Sequence, residues 1–124
     1  MNAAVQAPVA IRLRHTAKRL ELTYDDGGII SFPAELLRVL APESPGDALT
    51  TIIPGHHAPL ISGKRLVSLL AAEPVGNYAL RLRFSDGFDG GVYSWTFLHE
   101  LGREQKIRWR RYLRLLEEAG LSRD

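Results

Sequence analysis

Two adjacent histidines are the residues in this sequence whose types best suit metal or proton chemistry. His56 and His57 lie in a segment rich in glycine and proline, and neighbouring imidazoles can share a metal ion or pass protons. A metal site needs a third ligand and supporting hydrogen bonds. The remaining histidines, His15 and His99, stand at no spacing typical of a metal motif. We therefore favour an exposed pair of loop histidines, with a metal site as the alternative.

Acidic and hydroxyl side chains offer a second set of possible catalytic groups. Four aspartates are candidates for paired carboxylates in acid–base catalysis, namely Asp25, Asp26, Asp86 and Asp89. Their settings, D-D-G-G and S-D-G-F-D-G-G, favour reverse turns instead. Ser85 and Ser94 lack the G-x-S-x-G context of a nucleophile, and the glycines do not form a phosphate-binding loop. We predict no catalytic residue, no cofactor and no enzyme activity.

Composition limits the class of protein further. The chain has 124 residues, no cysteine, 45% hydrophobic residues and 24% charged residues, so thiolate metal sites and disulfides are excluded and one globular domain is expected. We predict a domain over residues 10–120, a flexible segment over residues 1–9 and a frayed tail over residues 121–124. Because no apolar run approaches membrane-spanning length, we expect a cytoplasmic protein without membrane contact.

Two segments of the sequence resemble each other. The first runs from Leu20 to Leu40 and the second from Leu80 to Leu101. Five positions match at a separation of sixty residues: Leu20, Leu22, Tyr24, Asp26 and Gly27 match Leu80, Leu82, Phe84, Asp86 and Gly87. After a one-residue insertion, Phe32, Leu36, Leu37 and Leu40 match Tyr93, Phe97, Leu98 and Leu101.

Each copy reads as two strands followed by a helix. Alternating apolar residues predict a strand, an Asp-Gly pair predicts a turn, and a short return strand follows. The expected strands are Ala10–Arg14, Leu20–Tyr24, Ile29–Phe32, Arg65–Ala71, Tyr78–Phe84 and Gly91–Tyr93, with a turn at residues 73–77. The fold class is therefore α+β, an antiparallel sheet built from two ββα-like repeats plus a C-terminal amphipathic helix.

Helix boundaries follow from capping residues. Pro33 suits the first position of the first helix and Ser94 suits an N-cap of the second. A third, amphipathic helix is expected from Glu104 to Ala119, ending at Gly120. Between the copies, residues 42–63 hold many prolines and glycines and predict a long surface loop.

Positive charge is concentrated near the C-terminus. The chain carries sixteen Lys and Arg against fourteen Asp and Glu, a net charge of +2. Residues 103–114 alone contribute six cations and one anion, or +5. Arg103, Lys106, Arg110 and Arg114 follow helical spacing, and cations early in a helix oppose its dipole. A solvated helix face is the commoner explanation of such a stripe, and the unfavourable charge order makes an acidic partner, protein or nucleic acid, the alternative. Trp95, which matches Ala34, is expected to face outward as a candidate partner contact, whereas Tyr93 is expected in the core.

The segment YALRLRFSDGFDGGVYSWTFLHELG, preceded by EPVGN and by the upstream copy LELTYDDG, resembles the gamma-butyrobetaine hydroxylase-like N-terminal domain family. The resemblance covers roughly Ile11 to Leu101. It implies a module found in front of 2-oxoglutarate-dependent hydroxylases, attached to P-loop ATPases of iron–sulfur cluster assembly, and alone in bacteria. The hydroxylase iron belongs to a separate catalytic domain, and no histidine here is followed two residues later by Asp or Glu.

Some members of that family bind zinc through cysteines after the first helix and a histidine after the second Asp-Gly. This chain has Ala41 to Gly46 and Phe88 at those places, so that zinc site is not expected. The resemblance and the residues together predict an accessory or adaptor domain that binds a protein partner, with iron or iron–sulfur metabolism as its setting by analogy. The alternatives are a metal-binding or oxygenase-associated protein using His56 and His57, and a weak nucleic-acid binder using the basic helix.

Overall fold

A computed structural model describes residues 7–42, 60–89 and 91–124. Six strands and three helices occur there in the order β1, β2, β3, α1, β4, β5, β6, α2, α3. The strands are β1 Ala10–Arg14, β2 Arg19–Thr23, β3 Ile29–Pro33, β4 Leu69–Val75, β5 Ala79–Phe84 and β6 Gly91–Ser94. The helices are α1 Ala34–Val39, α2 Trp95–Arg103 and α3 Gln105–Ala119.

The strands form two antiparallel sheets of three strands each, ordered β1-β2-β3 and β4-β5-β6. Alternation along β2 turns Leu20 and Leu22 to one face, where both are fully buried. Leu20 lies opposite Phe32 of β3 in the first sheet. Leu80 lies opposite Tyr93 of β6 in the second. The predicted α+β fold class is confirmed.

The two predicted copies form the same hydrogen bonds. The Ala34 N–H donates to the Lys18 carbonyl at 2.9 Å, and the Trp95 N–H donates to the Tyr78 carbonyl at 3.0 Å. The Asp-Gly turns also correspond, because Gly27 and Gly87 have φ of 88° and 93°, a region that favours glycine. Since β1 and β4 precede the matched segments, each copy is a three-stranded sheet followed by a helix.

Several predicted boundaries were wrong. The fourth strand begins at Leu69 rather than at Arg65 and extends to Val75, so the turn expected at residues 73–77 is found at residues 76–78. Pro74 is tolerated because β4 is an edge strand, where a missing N–H costs little. Pro33 is the last residue of β3 and the N-cap of α1, with extended ψ of 144°, rather than the first helical residue. Ser94 does cap α2, as predicted: its side chain accepts a hydrogen bond from the Phe97 N–H at 3.0 Å.

One apolar core joins both sheets to α1 and α2. Its fully buried side chains include Leu20, Leu22, Phe32, Leu37, Leu80, Leu82, Tyr93, Leu98 and Leu101. A smaller cluster of Val39, Tyr112 and Leu116 attaches α3 to the end of α1. The third helix ends at Gly120, whose φ of 68° gives the left-handed C-terminal residue expected from the sequence.

Residues 1–6 of the predicted flexible N-terminus and residues 43–59 of the predicted loop lie outside the described residues. Among those that are described, no helix has the length and apolarity that crossing a membrane requires.

Candidate interaction surface

The outward side of α3 carries a compact group of arginines around an isoleucine. Arg110, Arg111 and Arg114 follow Ile107 by three, four and seven residues, which places all four on one side of a helix. Trp109, Tyr112 and Leu116 occupy the opposite side and pack against α1 and neighbouring residues. Apolar burial therefore sets the rotation of the helix and turns the arginines to solvent.

Lys106 and Arg103 extend this group toward α2. Arg103, Lys106 and Arg110 line an open hollow of about 500 Å³, together with Gly102, Gln105 and Ile107. A second hollow of about 190 Å³ is lined by Ile107, Arg110, Arg111 and Arg114. We call Arg103, Lys106, Ile107, Arg110, Arg111 and Arg114 the basic face. All four cations predicted from the sequence belong to it, and Arg111 and Ile107 were missed.

The single helical stripe expected from Arg103 to Arg114 was wrong in its geometry. Arg103 is the last residue of α2, and the chain leaves helical geometry at Glu104, with φ of −109° and ψ of 13°. Arg103 therefore complements the dipole of α2 at its C-terminal end. Lys106 lies in the first turn of α3, where its charge opposes the helix dipole, and the carboxylate of the N-cap residue Glu104 pairs with Arg108 instead.

No ion pair among the described residues neutralises a cation of the basic face. Arg108 forms an ion pair with Glu104 at 2.7 Å, so one of the six cations in residues 103–114 is neutralised by the one anion. Within residues 7–42, 60–89 and 91–124, no ion pair involves the other five cations: Arg103, Lys106, Arg110, Arg111 and Arg114. The basic face therefore presents five positive charges.

Hydrogen bonds hold α3 in position under the basic face. The Gln105 side-chain amide donates to the Ser31 carbonyl of β3 at 2.9 Å. The Tyr112 hydroxyl donates to the Ile61 carbonyl at 2.6 Å, and burial raises the pKa of this phenol. The Trp109 and Tyr112 rings pack in a tilted arrangement with their centres 5.1 Å apart. The cations thus project from a helix that is anchored at its first turn and at its middle.

The C-terminal tail was predicted to fray, and the structure corrects this. The Gly63 N–H donates to the Ser122 carbonyl, and the Arg65 N–H donates to the Arg123 carbonyl, both at 3.0 Å. Arg123 also binds Glu35 of α1 with two hydrogen bonds, of 2.9 and 2.6 Å. Glu35 is only 6% exposed, so its carboxylate depends on this arginine. The tail is part of the folded domain because it neutralises a buried charge.

Trp95 is also placed differently from its predicted outward position. It is 8% exposed, and its indole N–H donates to the Asn77 carbonyl at 2.9 Å. The turn between β4 and β5 supplies this acceptor, which lets a large aromatic residue occupy a buried position. Trp95 is therefore a packing residue and not a partner contact. Tyr93 is buried as predicted, and its hydroxyl donates to the Leu37 carbonyl at 2.6 Å.

Aspartates in the two Asp-Gly turns have structural roles, as the turn motifs predicted. Asp26 accepts a hydrogen bond from the Gly28 N–H at 2.8 Å, and Asp86 accepts one from the Phe88 N–H at 3.1 Å. Asp86 differs because its other oxygen lies 2.7 Å from both Arg38 of α1 and Lys64. Partial burial would raise the pKa of Asp86, but the hydrogen bonds from Lys64, Phe88 and Arg38 lower it to about 2.

The histidines do not form a metal site within the described residues. His56 and His57 lie outside those residues. His15 is exposed in the β1–β2 turn, and the His99 ring meets Tyr24 edge-on with centres 6.4 Å apart. No group of three or more possible ligands occurs in residues 7–42, 60–89 or 91–124.

Known proteins of similar structure cover almost the whole chain. One NMR solution structure is 39% identical with a TM-score of 0.80, and the match covers 98% of this chain and 92% of that one. A second NMR solution structure is 36% identical with a TM-score of 0.77, covering 99% and 90%. No curated protein matches the chain.

A crystal structure from Acidithiobacillus ferrooxidans is also similar. It is of a protein with unknown function in the DUF971 family, 32% identical, with a TM-score of 0.60 and coverage of 77% of this chain and 91% of that one. The family model described as gamma-butyrobetaine hydroxylase-like, N-terminal, matches residues 11–99. That span includes both copies except the last residues of α2, and the chain belongs to the gamma-butyrobetaine hydroxylase-like N-terminal domain family.

Proposed function

We propose that the chain is a cytoplasmic, non-catalytic accessory domain that binds an acidic protein partner through the basic face. The observation that carries this proposal is the set of five cations without an ion-pair partner in the described residues. Clustered like charges repel one another, and an acidic partner relieves that repulsion. Iron or iron–sulfur metabolism enters only by analogy with the fused members of the family.

Helix energetics support a role for these charges outside the fold. Lys106 opposes the α3 dipole, at a cost of about 0.3–1 kcal/mol for an exposed cation in the first turn. The last turn of α3 contains Glu117 and Glu118 and no basic residue, so the charge order is unfavourable at both ends. Because intramolecular stability favours the reverse order, we attribute the observed order to binding.

The composition of the basic face favours a protein over single-stranded nucleic acid. Single-stranded nucleic acid is usually bound by cations together with exposed aromatic rings, on which the bases stack. The residues lining both hollows include no aromatic side chain, and Trp109 and Tyr112 of α3 pack inward. The apolar residue at the surface is Ile107, whose aliphatic side chain suits a protein contact.

A charge reversal tests the proposal. Lys106→Glu with Arg110→Glu changes the net charge from +2 to −2 and removes charge from the centre of the basic face. The matched control, Arg12→Glu with Arg83→Glu, makes the same change at exposed positions of the two sheets. We expect only the first variant to lose an acidic partner in pull-downs from native lysate, with its thermal midpoint level or raised.

Recovery of the parent's partner should also fall as salt is increased, because exposed charges are screened. Equal recovery of that partner by the Lys106→Glu, Arg110→Glu variant at low salt would contradict the proposal. Recovery of nucleic acid instead of an acidic protein would support the alternative of a nucleic-acid binder.

A further inference from the structure

Ile107 is the apolar centre of the basic face. It is 60% exposed, although aliphatic side chains of this size are normally favoured in the interior. Ile107 and Arg110 are the two residues that line both hollows. The aliphatic stems of neighbouring arginines can enlarge such an apolar spot while their charged ends stay in water.

We infer that the basic face takes an acidic segment of a partner protein that also carries an apolar side chain, which packs on Ile107 between the two hollows. This inference rests on the proposed function and adds the anchor residue. Carboxylates of the segment pair with the surrounding Lys and Arg, which steers the encounter. The apolar contact excludes water from the centre of the interface and slows dissociation.

Charge complementarity favours this occupant over a second copy of the chain. An antiparallel pair of α3 helices offers Glu117 and Glu118 of one copy to the basic face of the other. Two anions do not balance five cations, and Arg110 and Arg111, near the middle of α3, would approach their own counterparts. A separate acidic segment can supply enough anions for the five cations and brings no arginine close to Arg110 or Arg111.

Two synthetic peptides probe the inference directly. The first is a short run of glutamates with one central leucine, and the second replaces that leucine with serine. Binding to the whole protein is followed by fluorescence anisotropy at low salt. We expect the leucine peptide to bind about tenfold more tightly, the effect of burying part of one aliphatic side chain.

Variants locate the contact. Ile107→Ser should remove the difference between the two peptides, while residual binding through charge remains. The control is Ile29→Ser, because Ile29 is 63% exposed, nearly the same as Ile107, but lies on β3. That variant should keep the tenfold difference. Both substitutions replace exposed side chains, and an unchanged thermal midpoint verifies the fold of each.

The outcomes separate the inference from the proposed function. Equal affinity of both peptides for the parent, with binding lost in Lys106→Glu, Arg110→Glu, would overturn the Ile107 anchor and leave the proposed function standing. Failure of both peptides to bind would overturn both. Tighter binding of a single-stranded oligonucleotide than of either peptide would overturn the protein partner. A dimer of the parent that Ile107→Ser abolishes would assign the face to a second copy.

Discussion

The two copies have the same order of strands and helix, but they differ in what surrounds their helices. In the first copy, α1 has six residues, and five of them are buried. It is covered by the C-terminal tail through Arg123 and by the second copy's turn through Asp86. In the second copy, α2 is followed almost directly by α3, which carries the basic face. The first copy is enclosed by the rest of the chain, and the second leads to an open charged surface.

A comparison of matched positions shows which residues maintain each copy and which connect the two copies. Matched positions that keep the same role, such as Gly27 and Gly87, maintain the turn. Matched positions whose roles differ connect the two copies. Phe32 is apolar, whereas its counterpart Tyr93 donates a hydrogen bond to α1. Asp26 serves its own turn, whereas Asp86 also pairs with α1. The second copy therefore stabilises the helix of the first.

Removal of the tail's arginine should cause the largest loss of stability. Arg123→Met leaves the Glu35 carboxylate buried without its partner, and we expect a loss of about 2–3 kcal/mol in unfolding free energy, below the range for a fully buried pair because Arg123 is partly exposed. Arg65→Met is the control in the same tail contact, since the Arg65–Asp124 pair is exposed. It should cost less than about 0.5 kcal/mol.

Urea denaturation measures both values. Equal small losses for the two arginine variants would mean that the tail contributes nothing to the enclosure of α1. Adding Glu35→Gln to Arg123→Met should recover part of the loss, because the buried charge is then absent.

Asp86 and Asp26 should respond differently to loss of charge. Asp86→Asn removes the ion pairs to Arg38 and Lys64, and we expect a loss of about 1–2 kcal/mol at neutral pH, allowing for solvent screening. Asp26→Asn keeps an acceptor for the turn and should be nearly neutral. Equal effects of the two substitutions would show that Asp86 acts only within its turn.

The acid dependence of stability gives a second measure of Asp86. Its pKa in the folded chain is about 2, below the ordinary value of 3.8. Its stabilising contribution is therefore complete above about pH 4 and is lost as pH falls toward 2. Denaturation from pH 5 to pH 2 should show a shallower decline for Asp86→Asn than for the parent, and parallel curves would contradict the assignment.

Exchange of the matched aromatic residues should have a smaller effect. Tyr93→Phe gives the second copy the residue type of the first and leaves the Leu37 carbonyl without its hydroxyl donor. This carbonyl lies in the last turn of α1, where helical partners are lacking. We expect a loss of about 1 kcal/mol in thermal or urea denaturation. Unchanged stability would show that the copies are interchangeable at this position.

Local patterns predicted the repeated unit, and distant contacts explain the errors. Apolar alternation and the Asp-Gly pairs are local signals, and both turns form as expected. The Arg123–Glu35 contact joins residues 88 positions apart, so nothing near the tail indicated that it is ordered. The acceptor for the Trp95 indole lies in another turn, and a comparison with Ala34 alone suggested exposure.

The sequence predicted four of the five cations of the basic face, because helical spacing is a local signal, but it did not show where α2 ends. The predicted stripe assigns Arg103 to the helix that follows it, because no glycine or proline marks the break between α2 and α3 at Glu104. Arg103 was therefore given too much weight in the helical spacing, and Arg111 was omitted. The spacing of Ile107, Arg110, Arg111 and Arg114 was the local signal that identifies the outward side of α3.

Backbone amide shifts of the isotope-labelled protein during titration with the leucine-containing glutamate peptide test the central claim most directly. The account predicts saturable changes confined to residues 102–114 and centred on Ile107 and Arg110, with few changes in the sheets. Changes centred on the exposed sheet arginines Arg12 and Arg83, or no saturable change at low salt, would contradict the claim that the basic face is the binding surface.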